Sequence, residues 1–157
     1  MSTQTSEAPL QSDLRVPVID AAGAQAARLA GALQSLVKGL ANPWDESTDY
    51  FHHFVAIMPQ TAKLDAESFR AAVGIGARYE VDLSPADEKL ARVGDPDIMG
   101  NDIADAFRQL ANVMRATLSD LSIAFARGKG VTRVRVWLFG RTSDGTLVGL
   151  RSLSTET

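Results

Sequence analysis

The sequence predicts a single α/β (α+β) domain in which helices cover the faces of a partly antiparallel sheet of about four strands. A length of 157 residues suits one hydrophobic core. Helical and strand-like segments alternate along most of the chain, which favours helices layered on a sheet. The chain closes with a hairpin pattern around Asp144-Gly145, and a hairpin makes at least that part of the sheet antiparallel.

The N-terminal part of the chain is predicted to hold a tail and then a long helix. Residues 1–15 are rich in Ser, Thr and Gln and poor in large apolar residues, so we expect a disordered tail before a domain at 16–157. Asp20 can cap a helix that runs to about residue 41, where Asn42-Pro43 stops it. The buried stripe of this helix repeats at helical spacing and consists of Leu29, Leu33, Leu36, Val37 and Leu40.

Short elements are predicted between residues 50 and 97. An aromatic and β-branched run at 50–58 predicts a strand. Residues 64–74 predict a short helix with Asp65 as its cap, and residues 78–83 predict a second strand. Ser84-Pro85 is typical of a helix start, and residues 94–97 are expected to form a loop.

The last third of the chain predicts the longest helix and the closing hairpin. The helix is expected over residues 101–127, where Gly128-Lys129-Gly130 ends it. Strands at 131–139 and 147–153 follow. The apolar stripe of the long helix consists of Ile103, Phe107, Leu110, Met114, Leu118, Leu121 and Phe125.

Composition excludes some classes of function. The absence of cysteine excludes disulfides and thiolate metal sites. No apolar run approaches a membrane span, and the N-terminus lacks the pattern of a signal peptide, so we expect a cytoplasmic protein without membrane contact.

Acids outnumber bases over residues 80–105, whereas bases outnumber acids over 107–151. This asymmetry allows separate acidic and basic binding faces, but interleaved surface salt bridges are the interpretation we favour.

No residue pattern indicates catalysis or a bound metal. His52 and His53 with Asp49 resemble a metal site, but neighbours on a strand point to opposite faces, which favours a structural or partner-facing role. No nucleophile, base and orienting group can be assembled from the sequence. We therefore predict that the protein is not an enzyme and needs no cofactor.

Direct binding of nucleic acid is an alternative raised by the first strand of the hairpin. Arg133 and Arg135 share a strand face with Trp137 and Phe139, and such interleaving can bind single strands. If helices cover that face, the aromatic side chains belong to the core and the arginines lie at the end of the strand. The second interpretation is favoured, so no direct nucleic-acid partner is expected.

Three segments of the sequence resemble the nuclease A inhibitor-like family. The hairpin that contains Gly140-Arg141-Thr142 and ends in Glu156-Thr157 resembles the family's C-terminus. Residues 64–70 with 79–82 resemble its middle, and Glu46-Ser47 before an aromatic strand resembles its first loop. The resemblance implies a three-layer α/β/α sandwich and an inhibitor that binds a metal-dependent, sugar-non-specific nuclease.

The resemblance also implies which residues contact the partner. In the family a loop glutamate reaches the catalytic magnesium of the nuclease and the C-terminal threonine enters the same site. The matching residues here are Glu46 and Thr157, which predicts that they lie close together, with Asp45, Ser47 and Glu156 as neighbours.

The sequence departs from the family pattern at an anchoring tryptophan. The family carries a tryptophan in the loop before its last long helix, whereas the corresponding loop here, residues 94–101, has none. Two alternatives follow: Ile98 or Met99 replaces this anchor, or the contact is absent. Trp44 beside the first loop is either an interface anchor or a side chain that closes the first helix, and we favour the second role. A binding module of the same fold with a different protein target is the alternative function.

Overall fold

The computed structural model describes residues 21–44, 49–128, 130 and 133–155. The predicted tail at 1–15 and the predicted cap Asp20 lie outside these residues. No helix within the described ranges has the length and apolar character needed to cross a membrane. In chain order the elements are α1 (Ala21–Leu36), β1 (His52–Ala56), α2 (Ala66–Val73), β2 (Tyr79–Pro85), α3 (Asp87–Val93), α4 (Pro96–Met99), α5 (Asn101–Thr117), β3 (Ser119–Gly128), β4 (Arg133–Arg141) and β5 (Leu147–Thr155).

The described strands form one five-stranded sheet with helices on both faces. Its order is β1-β5-β4-β3-β2, and every neighbouring pair is antiparallel. Helices α1, α3 and α5 bury apolar side chains on one face, which we call the first face. Helix α2 packs on the opposite, second face through Phe69, Ala72 and Val73. The predicted α+β class with helices covering both faces of the sheet is confirmed, with five strands instead of about four.

The predicted helix at 101–127 is wrong beyond Thr117. Leu118 has extended backbone (φ −131) and Asp120 lies in the left-handed region (φ 53), so the chain leaves the helix and enters β3. Within β3 the side chains alternate: Ile123 and Phe125 are buried on the first face, whereas Ala124 and Ala126 are buried on the second. Because both faces of this strand are covered, it has no polar alternation that would distinguish it from a buried helix.

Other element boundaries also differ from those predicted. Ser84 and Pro85 belong to β2 and do not start a helix, since a proline is tolerated at the end of an edge strand. Helix α1 ends at Leu36, short of the predicted residue 41. Residues 96–99 form a helical turn where a loop was expected, capped by the Asp95 side chain.

The predicted cap of α2 is confirmed. The Asp65 carboxylate accepts a hydrogen bond from Ser68 N–H at 2.8 Å, and the Ser68 hydroxyl accepts one from Asp65 N–H at 2.9 Å. The bond from Ser68 N–H is the main cause that lowers the pKa of Asp65 below its ordinary 3.8. This reciprocal pair satisfies backbone donors that a helix end otherwise leaves unbonded.

A buried arginine fixes the loops at the far end of β4. The Arg141 side chain donates hydrogen bonds to the carbonyl oxygens of Gly145 (3.2 Å), Ala62 (3.0 Å) and Pro59 (3.0 Å). It therefore joins the hairpin turn after β4 to the segment that leads from β1 into α2, and it remains only 9% exposed.

Candidate functional site

The base of the loop that carries Glu46 is closed by backbone pairing. Asp45, Glu46 and Ser47 themselves lie outside the described residues. On either side of them, Asn42 N–H donates to the Asp49 carbonyl at 2.8 Å, and Ala41 pairs with Tyr50 in an antiparallel bridge. The loop therefore leaves and re-enters the fold at one position, beside the start of β1.

The end of β5 lies against the same loop base. Glu156 and Thr157 are outside the described residues, but the strand that leads to them is described through Thr155. The Asn42 side-chain amide donates to the Leu153 carbonyl at 3.2 Å, and the Ser152 hydroxyl donates to the Tyr50 carbonyl at 3.0 Å. We call the region around Asn42, Asp49 and Leu153 the loop end of the sheet.

Asn42 is the residue that organises the loop end, whereas the sequence alone predicts only that Asn42-Pro43 stops the first helix. Its side chain accepts a hydrogen bond from Trp44 N–H at 2.9 Å while it donates to Leu153, and the residue is 2% exposed. A buried amide that bonds on both sides fixes the segments it joins. The available sequence signal was Asn before Pro, which favours a side-chain-stabilised turn.

Arg133 adds a charged contact at the loop end. Its guanidinium lies 3.3 Å from the Asp49 carboxylate, and Arg133 is paired in register with Thr155, the last described residue of β5. Both side chains of this ion pair are substantially exposed, so solvent screens it and it contributes little to stability. It does place the start of β4 beside the loop base.

Trp44 packs into the core beside the loop. Its ring contacts those of Phe51 and Phe107 edge-on, with centroids 6.0 and 6.4 Å apart. The Trp44 ring therefore packs against the core at Phe51 and at Phe107 of α5, and its expected role in closing the first helix stays a prediction. Since the residue is only partly buried, it also presents surface to the adjoining groove.

The structure brings Trp44, Ile98 and Met99 together along one groove of about 540 Å³. Ile98 is 52% exposed, which makes it one of the exposed large apolar residues of the described chain, whereas Met99 packs partly against the core. The remaining walls come from α3 and from β2 and β3. The charged residues among the lining are Asp82, Lys89, Arg92 and Arg127.

Comparison with known proteins identifies the family. The family described as "Nuclease A inhibitor-like protein" matches residues 27–157. The chain belongs to this family. The match confirms the resemblance inferred from the hairpin and the first loop, and both Glu46 and Thr157 lie inside the matched region. No curated protein matches the sequence of this nuclease A inhibitor-like chain.

The two histidines of this family member are arranged on opposite faces of β1. His53 Nδ1 lies 2.5 Å from Oε1 of Gln34 in α1, on the first face. His52 is two residues before Phe54 on the same strand and therefore points to the second face, where Phe54 is buried. In the described part of the chain, no group of three His, Asp or Glu side chains could hold a metal ion.

The aromatic residues of β4 belong to the core. Trp137 and Phe139 are 1% and 0% exposed, and the Phe69 ring lies over both of them. Arg135 lies over the Tyr79 ring, with its guanidinium carbon 5.4 Å from the ring centroid. The stacking surface that the nucleic-acid alternative required on this strand is therefore covered by α2.

Proposed function

We propose that this protein is an inhibitor that binds and blocks the active site of a metal-dependent, sugar-non-specific nuclease. Membership of the nuclease A inhibitor-like family supports the general role. The observation that carries the proposal is the bonding of Asn42, which ties the base of the Glu46 loop to the last strand. Two segments that start from one end of the sheet can enter one active site together.

In the proposed complex the Glu46 carboxylate contacts the metal ion of the nuclease. Magnesium prefers hard oxygen ligands and keeps exchangeable waters, so a carboxylate can take the place of a substrate phosphate oxygen. Thr157, the second residue that the family resemblance assigns to the contact, enters the same site. Asp45, Ser47 and Glu156 flank these two contacts, while Trp44, Ile98 and Met99 form the apolar part of the interface.

The inhibitor contributes no catalytic group in this mechanism. The partner's metal is occupied by a carboxylate that has no bond to cleave, so the complex is a dead end for turnover. We accordingly propose that purified protein hydrolyses neither nucleic acid nor esters or peptides.

Substitution at Glu46 tests the proposed contact. Glu46→Gln keeps the shape and removes the charge, so inhibition of a metal-dependent non-specific nuclease should weaken by about 1.5–3 kcal/mol, the range for a charge-assisted contact. That range corresponds to about a ten- to hundredfold increase in the inhibition constant. Deletion of Thr157 should have a similar effect, and neither change should alter the melting temperature.

A matched control is Glu67→Gln, the same chemical change in the first turn of α2 on the second face. It should inhibit as well as wild type. Full inhibition by the Glu46→Gln protein lacking Thr157 would overturn the proposed contacts. Binding of a different protein without any inhibition of nucleases would instead favour a binding module of the same fold with another target. The absence of the family's tryptophan from the loop at 94–101 is the observation that keeps this alternative open.

A further inference from the structure

The groove beside Trp44 is basic, although the loop next to it is acidic in sequence. Among the described residues, its lining contains Lys89, Arg92 and Arg127 and one carboxylate, that of Asp82. The chain continues from Trp44 directly into Asp45 and Glu46. The groove therefore differs in charge from the sequence that directly follows Trp44.

Two of the three cations lie against the same aromatic ring. The Lys89 Nζ is 5.5 Å and the Arg127 guanidinium carbon 5.2 Å from the centroid of the Phe125 ring. The negative face of a ring attracts each cation. Both positive charges are therefore held close to one ring in the wall of the groove.

Partial burial strengthens the interaction of Lys89 and Arg127 with an anion. Lys89 and Arg127 are both half-buried, and Phe125 beneath them is 7% exposed. Because the effective dielectric constant near a protein surface is well below that of water, an anion entering the groove interacts more strongly with them than with fully solvated lysines. The groove therefore attracts carboxylates.

Apolar side chains line the same groove as the cations. Ile98 is half-exposed, and Trp44 and Met99 are partly buried with part of their surface in the groove. An aromatic and a methionine side chain next to arginines is the composition enriched at protein interfaces. The geometry suits a polypeptide segment that carries both acids and an apolar anchor.

We propose that this groove binds an acidic segment of the partner protein, with carboxylates at Lys89, Arg92 and Arg127 and an apolar side chain against Trp44 and Met99. The inference rests on the proposed function, because it adds a second contact region to the complex formed by the Glu46 loop. A basic groove that meets acidic side chains of the partner favours one orientation of docking, since an orientation that brings basic side chains to the groove places like charges together.

The test compares two charge-reversed proteins against a metal-dependent non-specific nuclease. Lys89→Glu/Arg92→Glu changes the groove, and Lys63→Glu/Arg115→Glu makes the same change around the cavity at the opposite end of the sheet. The groove variant should associate at least about tenfold more slowly at low salt, with a weaker dependence on salt, because steering charges act mainly on the association rate. The control should associate like wild type, and melting curves check that both proteins fold.

The outcomes separate this inference from the proposed function. If the groove variant and the control associate at the same rate while Glu46→Gln still inhibits weakly, the proposed groove contact is overturned and the proposed inhibitor function is kept. Failure of the wild-type protein to inhibit or bind the nuclease would overturn both. Binding of a single-stranded DNA oligonucleotide by wild type, lost in the groove variant, would assign the groove to nucleic acid and also overturn the proposal.

Discussion

Gly149 offers the sharpest test of the packing, because two phenyl rings meet across it. In register Gly149 lies between Phe54 of β1 and Phe139 of β4, whose ring centroids are 6.2 Å apart. A Cβ at this position would lie closest to the Leu138 carbonyl oxygen and 2.6 Å from Phe139 Cα. Since non-bonded carbon atoms need about 3.5 Å, β4 and β5 would have to separate by roughly 1 Å at the middle of the sheet.

Gly149→Ala is therefore expected to lower the free energy of unfolding by about 3 kcal/mol, the upper end of the usual overpacking cost. For a chain of this size the melting temperature should fall by about 6–12 °C. Gly31→Ala is the control: a Cβ there meets nothing within 4 Å, and alanine in the middle of α1 should add about 0.5–1 kcal/mol. Urea unfolding followed by circular dichroism measures both, and a Gly149→Ala protein within about 0.5 kcal/mol of wild type would refute the packing argument.

Three further substitutions test separate parts of the structure. Arg141→Lys keeps the charge but loses the fork that serves three carbonyl oxygens, so the free energy of unfolding should fall by about 2 kcal/mol in urea titrations, and no change would contradict the bonding described. Asn42→Ala leaves the Leu153 carbonyl and the Trp44 N–H without their side-chain partner at the loop end. We expect the free energy of unfolding to fall by about 1–3 kcal/mol and inhibition to weaken, and unaffected inhibition would argue against a role for the loop end. Hydrogen bonds from the Thr142 hydroxyl and Thr146 N–H lower the pKa of Asp144 below 3.8, so its ionised form stabilises the fold above that pH and the effect is lost as the pH falls through the lowered pKa. Asp144→Asn should therefore melt below wild type at pH 7, with the difference shrinking on acidification below pH 3.8; a difference independent of pH would contradict this assignment.

The layered architecture could be predicted from the sequence because its helices carry clear apolar stripes. Leu33, Leu110 and Met114 occupy predicted stripe positions and are all fully buried. The boundary between α5 and β3 could not be predicted by the same means. Leu121 and Phe125 continue the helical spacing, and Ala124 and Ala126 favour helices by intrinsic propensity, yet all lie in a strand that is buried on both faces.

The site was predictable to a different degree from the fold. Glu46 and Thr157 were inferred from the family resemblance, since an acidic loop residue and a threonine after the last strand have no distinguishing pattern of their own. The contact that supports their proximity joins Asn42 to Leu153, which are 111 positions apart in the chain. No local spacing encodes such a contact, because it arises only when β5 pairs with β1 and carries its end to the loop base.

The dependence of binding on the partner's metal tests the central proposal most directly. The affinities of wild type and Glu46→Gln for a metal-dependent non-specific nuclease would be measured with magnesium present and again after chelation. If the Glu46 carboxylate contacts the metal, wild type should lose about tenfold or more of its affinity when the metal is removed, whereas Glu46→Gln should lose little. Equal losses for the two proteins would contradict the account, because they would mean that Glu46 binds without reference to the metal.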